Sequence, residues 1–308
     1  MTRSSATPKL SLARARRAVA ALIVGLGVWA FVVEPSMLVV RRVTIEIPQW
    51  RGAPLTLAVA SDLHVGSPWC RIGKLRRVVR ALNDAHADAV ILLGDYVVQD
   101  VIGGTFIPPE RIAAELRALR GPVLAVIGNH DDWYDGAAVT AALQRAGITV
   151  LRDESVDRGA YVVAGITDAW TGRHDIARAL AGVRADAPVI LLTHNPDVFP
   201  QVPPRVALTL AGHTHGGQVN LPLLGRLIVP SRYGSRYAAG HVVEDGRHLF
   251  VTTGVGTSII PVRFRVRPEV VILTIRSRLG AKSDHRVGQV FDPRCTAAPP
   301  RCTCTPAV

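Results

Sequence analysis

Five short apolar runs in this chain stop abruptly at a carboxylate, an imidazole or an amide, and that recurrence constrains the fold more than any other feature. Leu55–Ala60 is followed by Asp62-Leu63-His64, Ala89–Leu93 by Gly94-Asp95, and 123–127 by Gly128-Asn129-His130-Asp131. Val189–Leu192 leads to His194, and 206–210 leads to Gly212-His213-Thr214-His215. Short runs rich in Val, Leu and Ile, bounded by glycine and charge, have the length of buried strands. Between them lie stretches of helical spacing at 72–86, at 109–119 (opened by proline) and at 137–146, which ends at Gly147. Further on, strand-like runs at 161–166 and Val189–Leu192 flank a helical stretch at 175–181, and 249–253 and 270–275 are strand-like. Strands alternating with helices on this scale imply a layered α/β core. In such a fold the carboxyl ends of the strands share one rim, where ligands bind. Five separate turns therefore deliver polar side chains to one place.

The residue types suit a hard-to-borderline divalent metal: carboxylate oxygen, imidazole nitrogen, one amide oxygen and no thiolate. Asp62 and His64 are two apart, so in extended chain they point the same way and grip one ion. Gly94, Gly128 and Gly212 each precede a candidate ligand, where a missing side chain permits a tight turn and close backbone approach. One Asp-x-His alone carries little weight, because most such pairs lie in surface loops. Here five of the 10 histidines follow directly on strand-like runs, which a purely structural role does not explain.

Composition narrows the rest. Of 308 residues 48% are hydrophobic and 19% charged, a balance that favours a packed core over disorder. The net charge is +12, and every basic residue except Lys9, Lys74 and Lys282 is arginine. A basic surface helps an anionic substrate or an acidic membrane approach; no nucleic-acid partner is expected. Cys70 stands alone and Cys295, Cys302 and Cys304 crowd a Pro-containing tail, without the CxxC spacing of a zinc ribbon.

The N-terminus is basic up to Arg17, with Arg3, Lys9, Arg14, Arg16 and Arg17 and no acid. Residues 18–33 follow as an uncharged, mostly apolar run that Glu34-Pro35 breaks. As a helix this run spans about 24 Å, slightly short of a bilayer core of about 30 Å. A single-pass anchor or an export signal fits; without a small-x-small cleavage site after Val33, the anchor is preferred. Five positive charges precede the run, against Arg41, Arg42 and Arg51 after it, a bias that puts the N-terminus in the cytoplasm and the rest of the chain outside. Three regions are expected: a basic N-terminus and membrane anchor or signal segment at 1–43, a catalytic domain at 44–275, and a flexible tail at 276–308.

The set Asp62-Leu-His64, Gly94-Asp95, Gly128-Asn129-His130-Asp131, Thr193-His194 and Gly212-His213-Thr214-His215 resembles the calcineurin-like metallophosphoesterase superfamily. The longer string from Gly212 to Val219, with Leu221-Pro222 behind it and Arg267-Pro268-Glu269 further on, resembles its membrane-associated YkuE/YaeI-like branch. The resemblance implies an α/β fold, a four-layer αββα sandwich, here preceded by one N-terminal hydrophobic helix. It also implies two divalent ions (Mn, Fe or Zn, with Mg a poorer fit), one held by Asp62, His64, Asp95 and His215. Asp95, Asn129, His194 and His213 would hold the other, with Asp95 bridging. Two such cations lower the pKa of a shared water, which then attacks phosphorus at neutral pH. His130 is expected to protonate or stabilise the leaving oxygen and Asp131 to orient it.

Gly216 and Gly217 would let the chain pass close to the phosphate, Tyr96 would line the pocket, and Arg232 and Tyr233 would meet an anionic substrate. Tyr96-Val97-Val98-Gln99 replaces the Asn or Asp and the Arg that Ser/Thr protein phosphatases of this superfamily carry there, which argues against a phosphoprotein substrate. The expected activity is hydrolysis of a lipid-linked or nucleotide-linked phosphoester at a membrane. One version is a UDP-2,3-diacylglucosamine pyrophosphatase-like role in lipid A synthesis, which requires a cytoplasmic active site. A non-catalytic scaffold is the reading from another class. Scaffolds of this superfamily have lost ligands or the motif histidine, and here every position is filled.

Overall fold

The computed structural model describes residues 12–172 and 174–277. The cysteine-containing tail and the first basic residues therefore lie outside the described residues. The chain begins with α1 (Leu12–Val28), a π-helical turn at Trp29–Val33 and α2 (Glu34–Ser36), then β1 (Val39–Glu46) and β2 (Leu55–Ala60). Next come α3 (Ile72–Asn83), β3 (Ala89–Leu93), α4 (Pro109–Leu116), β4 (Val123–Val126), α5 (Asn129–Arg145), β5 (Thr149–Val150), β6 (Glu154–Asp157) and β7 (Val162–Gly165). The second half holds α6 (Ile176–Ala179), β8 (Val189–Leu192), β9 (Val206–Ala211), β10 (Gly240–Glu244), β11 (Arg247–Val251) and β12 (Glu269–Arg276).

Among the described residues twelve strands form two six-stranded sheets, ordered β1-β12-β2-β3-β4-β5 and β10-β11-β9-β8-β7-β6. In the first, β2 to β5 are mutually parallel and β12 is antiparallel to β2. In the second, β11, β9, β8 and β7 are parallel. The sheets face each other across one apolar cluster, in which Leu57, Ile91 and Leu93 meet Val163, Ile190 and Leu210. The outer face of the first sheet packs Ala60, Val90 and Leu92 against Leu75 and Val78 of α3, Ile112 of α4 and Val139 of α5. The outer face of the second packs Val189, Leu191 and Val251 against Ala179 of α6, Phe199 and Tyr237. Strands buried on both faces read as unbroken apolar runs, which is why they stand out in the sequence. The result is the four-layer sandwich, with a fourth layer made of the single-turn α6 and of 3-10 turns at Pro196–Gln201 and Gly234–Tyr237.

Two segments differ from expectation. All eight residues of β1 pair in parallel with β12, so the boundary placed at 43/44 falls inside a strand. The N-terminal helix extends beyond the apolar run at 18–33 and continues through Glu34-Pro35. Proline removes a hydrogen bond and crowds the preceding turn, and the wider π turn just ahead of it makes room for the ring. Leu12–Ser36 is therefore one helical segment of 25 residues, within which an 18-residue stretch has mean hydropathy 2.0, long and apolar enough to cross a membrane.

Candidate metal centre

Neighbouring strands bring the polar turns together. β2, β3 and β4 stand side by side in one sheet, and their carboxyl ends carry Asp62 and His64, then Asp95, then Asn129 and His130. β8 and β9 are neighbours in the facing sheet and deliver His194, His213 and His215. Backbone bonds lock the turns to each other: Asp62 N–H donates to Gly94 O (3.0 Å), His64 N–H to Asp95 O (2.9 Å) and Gly212 N–H to His194 O (2.9 Å). Asp62 and His64 do not lie in extended chain as the two-residue spacing suggested. Both have positive φ, 51° and 38°, and a tight left-handed turn rather than strand alternation brings their side chains together. Asp95, His213 and His215 share this conformation, at 56°, 68° and 50°. Such backbone costs on the order of 1 kcal/mol or more per non-glycine residue and persists where the surroundings over-determine it. Glycines make the close approach possible. A Cβ on Gly128 would strike the Asp95 carboxylate, and one on Gly212 would strike Ser61 and Asp62.

The side chains converge on buried, closely spaced donor atoms. Asp62, His64 and His215 form one group that could hold an ion, and Asp95, His194 and His213 form another. His64 and Asp95 also group with His130. His64 Nε2 lies 3.2 Å from His215 Nε2, and His215 Nε2 lies 3.4 Å from Asp62 Oδ1. On the other side His194 Nε2 is 3.3 Å from His213 Nδ1. Asp95 stands between the groups, its Oδ2 3.4 Å from His64 Nε2 and 3.2 Å from His194 Nε2. Two observations fit this set to divalent ions. The Asn129 Oδ1 oxygen is buried with no hydrogen-bond partner, as is His213 Nε2. Buried polar atoms are rarely left so, and lone pairs crowded this closely suit a cation.

The electrostatics keep three of these rings neutral, whereas burial of His194 is outweighed by Asp95, Asp62 and Asp168, which raise it well above the usual imidazole range. Burial pushes His130 down to about 4, and burial together with His194 pushes His213 down to about 3. His215 falls well below the usual imidazole range through burial, His64 and the Arg263 guanidinium. A neutral ring keeps a lone pair for a metal. Burial raises Asp95, but His194 and His64 against it outweigh that effect and hold its carboxyl well below the usual range.

The profile of the calcineurin-like phosphoesterases matches residues 55–217, which span every one of these ligand candidates. The chain belongs to that family. It is 31% identical to the uncharacterized metallophosphoesterase YkuE of Bacillus subtilis, over 81% of this chain and 89% of that one. It is 30% identical to the phosphodiesterase YaeI of Escherichia coli, over 79% of this chain and 90% of that one. A transmembrane protein with a metallophosphoesterase domain from Danio rerio is 29% identical over 85% of this chain and 63% of its own length. As a calcineurin-like phosphoesterase the chain is a hydrolase acting on phosphoester bonds.

Within this phosphoesterase several expected site residues take other places. Asp131 does not orient His130. Its carboxylate accepts the backbone N–H groups of Asp95, Tyr96, Val97 and Gly128, so it holds two ligand turns in register. Tyr96 does not line a pocket either: it is buried, and its hydroxyl donates to Val126 O at 3.0 Å. Gly216 and Gly217 have φ of 60° and 71°, and their missing side chains admit Thr253 and Val266 at one and Ile228 O at the other. Arg232 and Tyr233 lie in a loop tied to Asp197, where Arg232 N–H donates to Oδ2.

Three residues near the centre escaped notice in the sequence. Trp133 and Trp170 are about half exposed and flank the mouth, one ring 5.0 Å from His130 and the other 5.3 Å from His213. Arg263 is fully buried and donates to the carbonyls of Thr253 and His215 (2.8 and 3.3 Å) behind the ligand turn. Isolated aromatics and arginines carry no spacing pattern, so periodicity had nothing to find.

Proposed function

We propose that this protein is a membrane-anchored phosphoesterase with two divalent ions, acting on a lipid-linked or nucleotide-linked phosphate. The supporting observation is Asp95 Oδ2, which sits within 3.4 Å of an imidazole nitrogen from each sheet. Asp62, His64, Asp95 and His215 are assigned to one ion, and Asp95, Asn129, His194 and His213 to the other. When bound, such a pair supplies Lewis acidity and an activated water.

The chain's own residues do the rest. Asp95 fixes the spacing of the two ligand groups and, through Oδ1, accepts the His130 N–H at 3.0 Å. That contact sets the ring of His130 beside both groups. As a neutral imidazole His130 carries one ring N–H, which it presents to the leaving oxygen as that oxygen gains charge. Trp133 and Trp170 limit water access on the exposed side and offer flat apolar faces to the rest of the substrate. The helix at Leu12–Ser36 anchors the enzyme, with the catalytic domain outside the cytoplasm.

The test is a screen of the full chain with added Mn, Fe, Zn or Mg against bis(p-nitrophenyl) phosphate, phospholipids, UDP-acylated sugars and simple nucleotides. Turnover of an acylated or nucleotide-linked phosphoester well above that of the generic diester supports the reading, and activity confined to small soluble monoesters overturns it. A reporter at the C-terminus gives the side of the membrane. A cytoplasmic result would reverse the proposed topology and admit the UDP-lipid version.

A further inference from the structure

The helix does not simply lead into the catalytic domain; the domain climbs along it. Arg263 N–H donates to Ala30 O at 2.9 Å, and Trp69 Nε1 donates to Phe31 O at 2.8 Å. Both acceptors belong to the apolar run at 18–33. Ala30 lies six residues before the end of the helix at Ser36, a rise of about 9 Å. A headgroup layer is about 7 Å thick, so loops touching Ala30 and Phe31 reach the depth at which acyl chains begin.

Those loops carry an apolar surface of their own. Leu223, Leu224, Leu227 and Ile228 form a loop in which Leu224 and Leu227 are each 66% exposed and Ile228 81%. Ile259 and Ile260, exposed to 64% and 44%, lie in a second loop that meets Gln218, next to the Gly217 against which Ile228 packs. Contacts tie the two loops to the ligand turn: Gln218 Nε2 donates to Ser258 O and Ile260 O, and Arg226 Nε donates to Gly216 O. Ile102 N–H donates to Ile259 O and continues the surface towards Trp69, since Pro68 packs beside Gly103. Large apolar side chains grouped on one face mark an interaction site.

Arginines flank the same face. Arg41, Arg226, Arg265 and Arg267 line an open groove of about 530 Å³, opposed there only by Glu269. Arg226 belongs both to the groove and to the leucine loop. Arg265 precedes Val266, whose N–H donates to Glu34 Oε1 at the foot of the helix. Cations at the headgroup level and apolar tips beyond them are what an anionic bilayer selects.

We propose that this face rests on the membrane beside the helix, with the loops at 223–228 and 259–260 in the acyl boundary and the arginine groove on the phosphates of anionic phospholipids. It rests on the reading of Leu12–Ser36 as a membrane anchor. The metal centre, joined to both loops through Gly216–Gln218, then opens at the bilayer surface, where a lipid-linked phosphoester reaches it without leaving the membrane.

The full chain, reconstituted in vesicles of phosphatidylcholine and phosphatidylglycerol doped with a diazirine-labelled phosphatidylcholine, gives a direct map after photolysis and peptide mass analysis. Adducts are expected at 18–33 and also at 223–228 and 259–260. Adducts on the helix alone overturn the proposal and leave the anchor intact; no adducts on the helix overturn the anchor reading itself. With Leu224→Asp and Leu227→Asp together, adducts at 223–228 should fall about tenfold while helix adducts and hydrolysis of bis(p-nitrophenyl) phosphate persist. Vesicles lacking phosphatidylglycerol should reduce the adducts at both loops, and equal yields would remove the role given to the arginines.

Discussion

Neighbouring residues in one motif do different work, and mutation separates them. His130 faces the ligand groups with its ring while only its backbone N–H is bonded to Asp95. His130→Ala should keep the metals and lower kcat at least about a hundredfold, the range for losing a positioned proton donor. Metal analysis beside steady-state kinetics checks it, and unchanged turnover would take the leaving-group role away from His130. Asp131 gives the opposite pattern. Its two oxygens accept four backbone N–H groups, so in Asp131→Asn the amide nitrogen faces donors it cannot pair with. Stability should fall by about 2–4 kcal/mol, seen as a lower urea midpoint, with metal affinity falling alongside because the Asp95 and Gly128 turns are no longer held. An unchanged midpoint would mean that these bonds are replaceable. In sequence the two residues look equally catalytic, because spacing reports which turn a residue occupies and not which way its side chain points.

At the scale of elements, burial decides what the sequence discloses. β2, β3, β4, β8 and β9 are legible because both faces are covered and nearly every residue is apolar. β1, with Arg41 and Arg42, lies at a sheet edge, has no unbroken apolar run and so groups by sequence with the anchor segment, and the two-residue β5 is too short to show any period. α5 is two helical stretches joined at non-helical Asp135: the second is the helix expected at 137–146, and the short first one, from Asn129, is too brief for a 3.6-residue period to show. Glu34, which in the sequence only ends the uncharged run, is the docking group of the N-terminal helix. Its buried carboxylate accepts Val266 N–H at 2.7 Å and Trp29 Nε1–H at 2.7 Å. Glu34→Ala leaves both donors unpaired, at a cost of about 1–3 kcal/mol for each one that stays buried. The helix foot should then detach more often, giving faster proteolysis between α2 and β1 while the sandwich keeps its melting temperature. Equal cleavage rates would place the hold on the helix elsewhere, with Lys74 Nζ on Pro35 O the next contact.

The whole molecule is two sheets whose shared apolar layer ends at a polar rim, and the proposed ligands are divided across it. Asp62, His64, Asp95 and Asn129 come from one sheet, and His194, His213 and His215 from the other. Without cations, that rim gathers carboxylates, depressed imidazoles and left-handed backbone with little to offset their cost. Ion binding to the folded state alone stabilises it by about 4 kcal/mol per site at a thousandfold excess over Kd. In a domain of this size that corresponds to a rise in Tm of roughly 10 °C or more. Treatment with a chelator should therefore lower Tm and abolish hydrolysis together, and adding back a divalent ion should restore both. Because each proposed ion draws ligands from both sheets, His215→Ala and Asp62→Ala, which each strip one ion of a ligand, should each lose about half of the metal-dependent rise in Tm. If chelation removed activity without moving Tm, the ions would be working at the rim without joining the sheets, and the division of ligands between the two halves would have no bearing on stability.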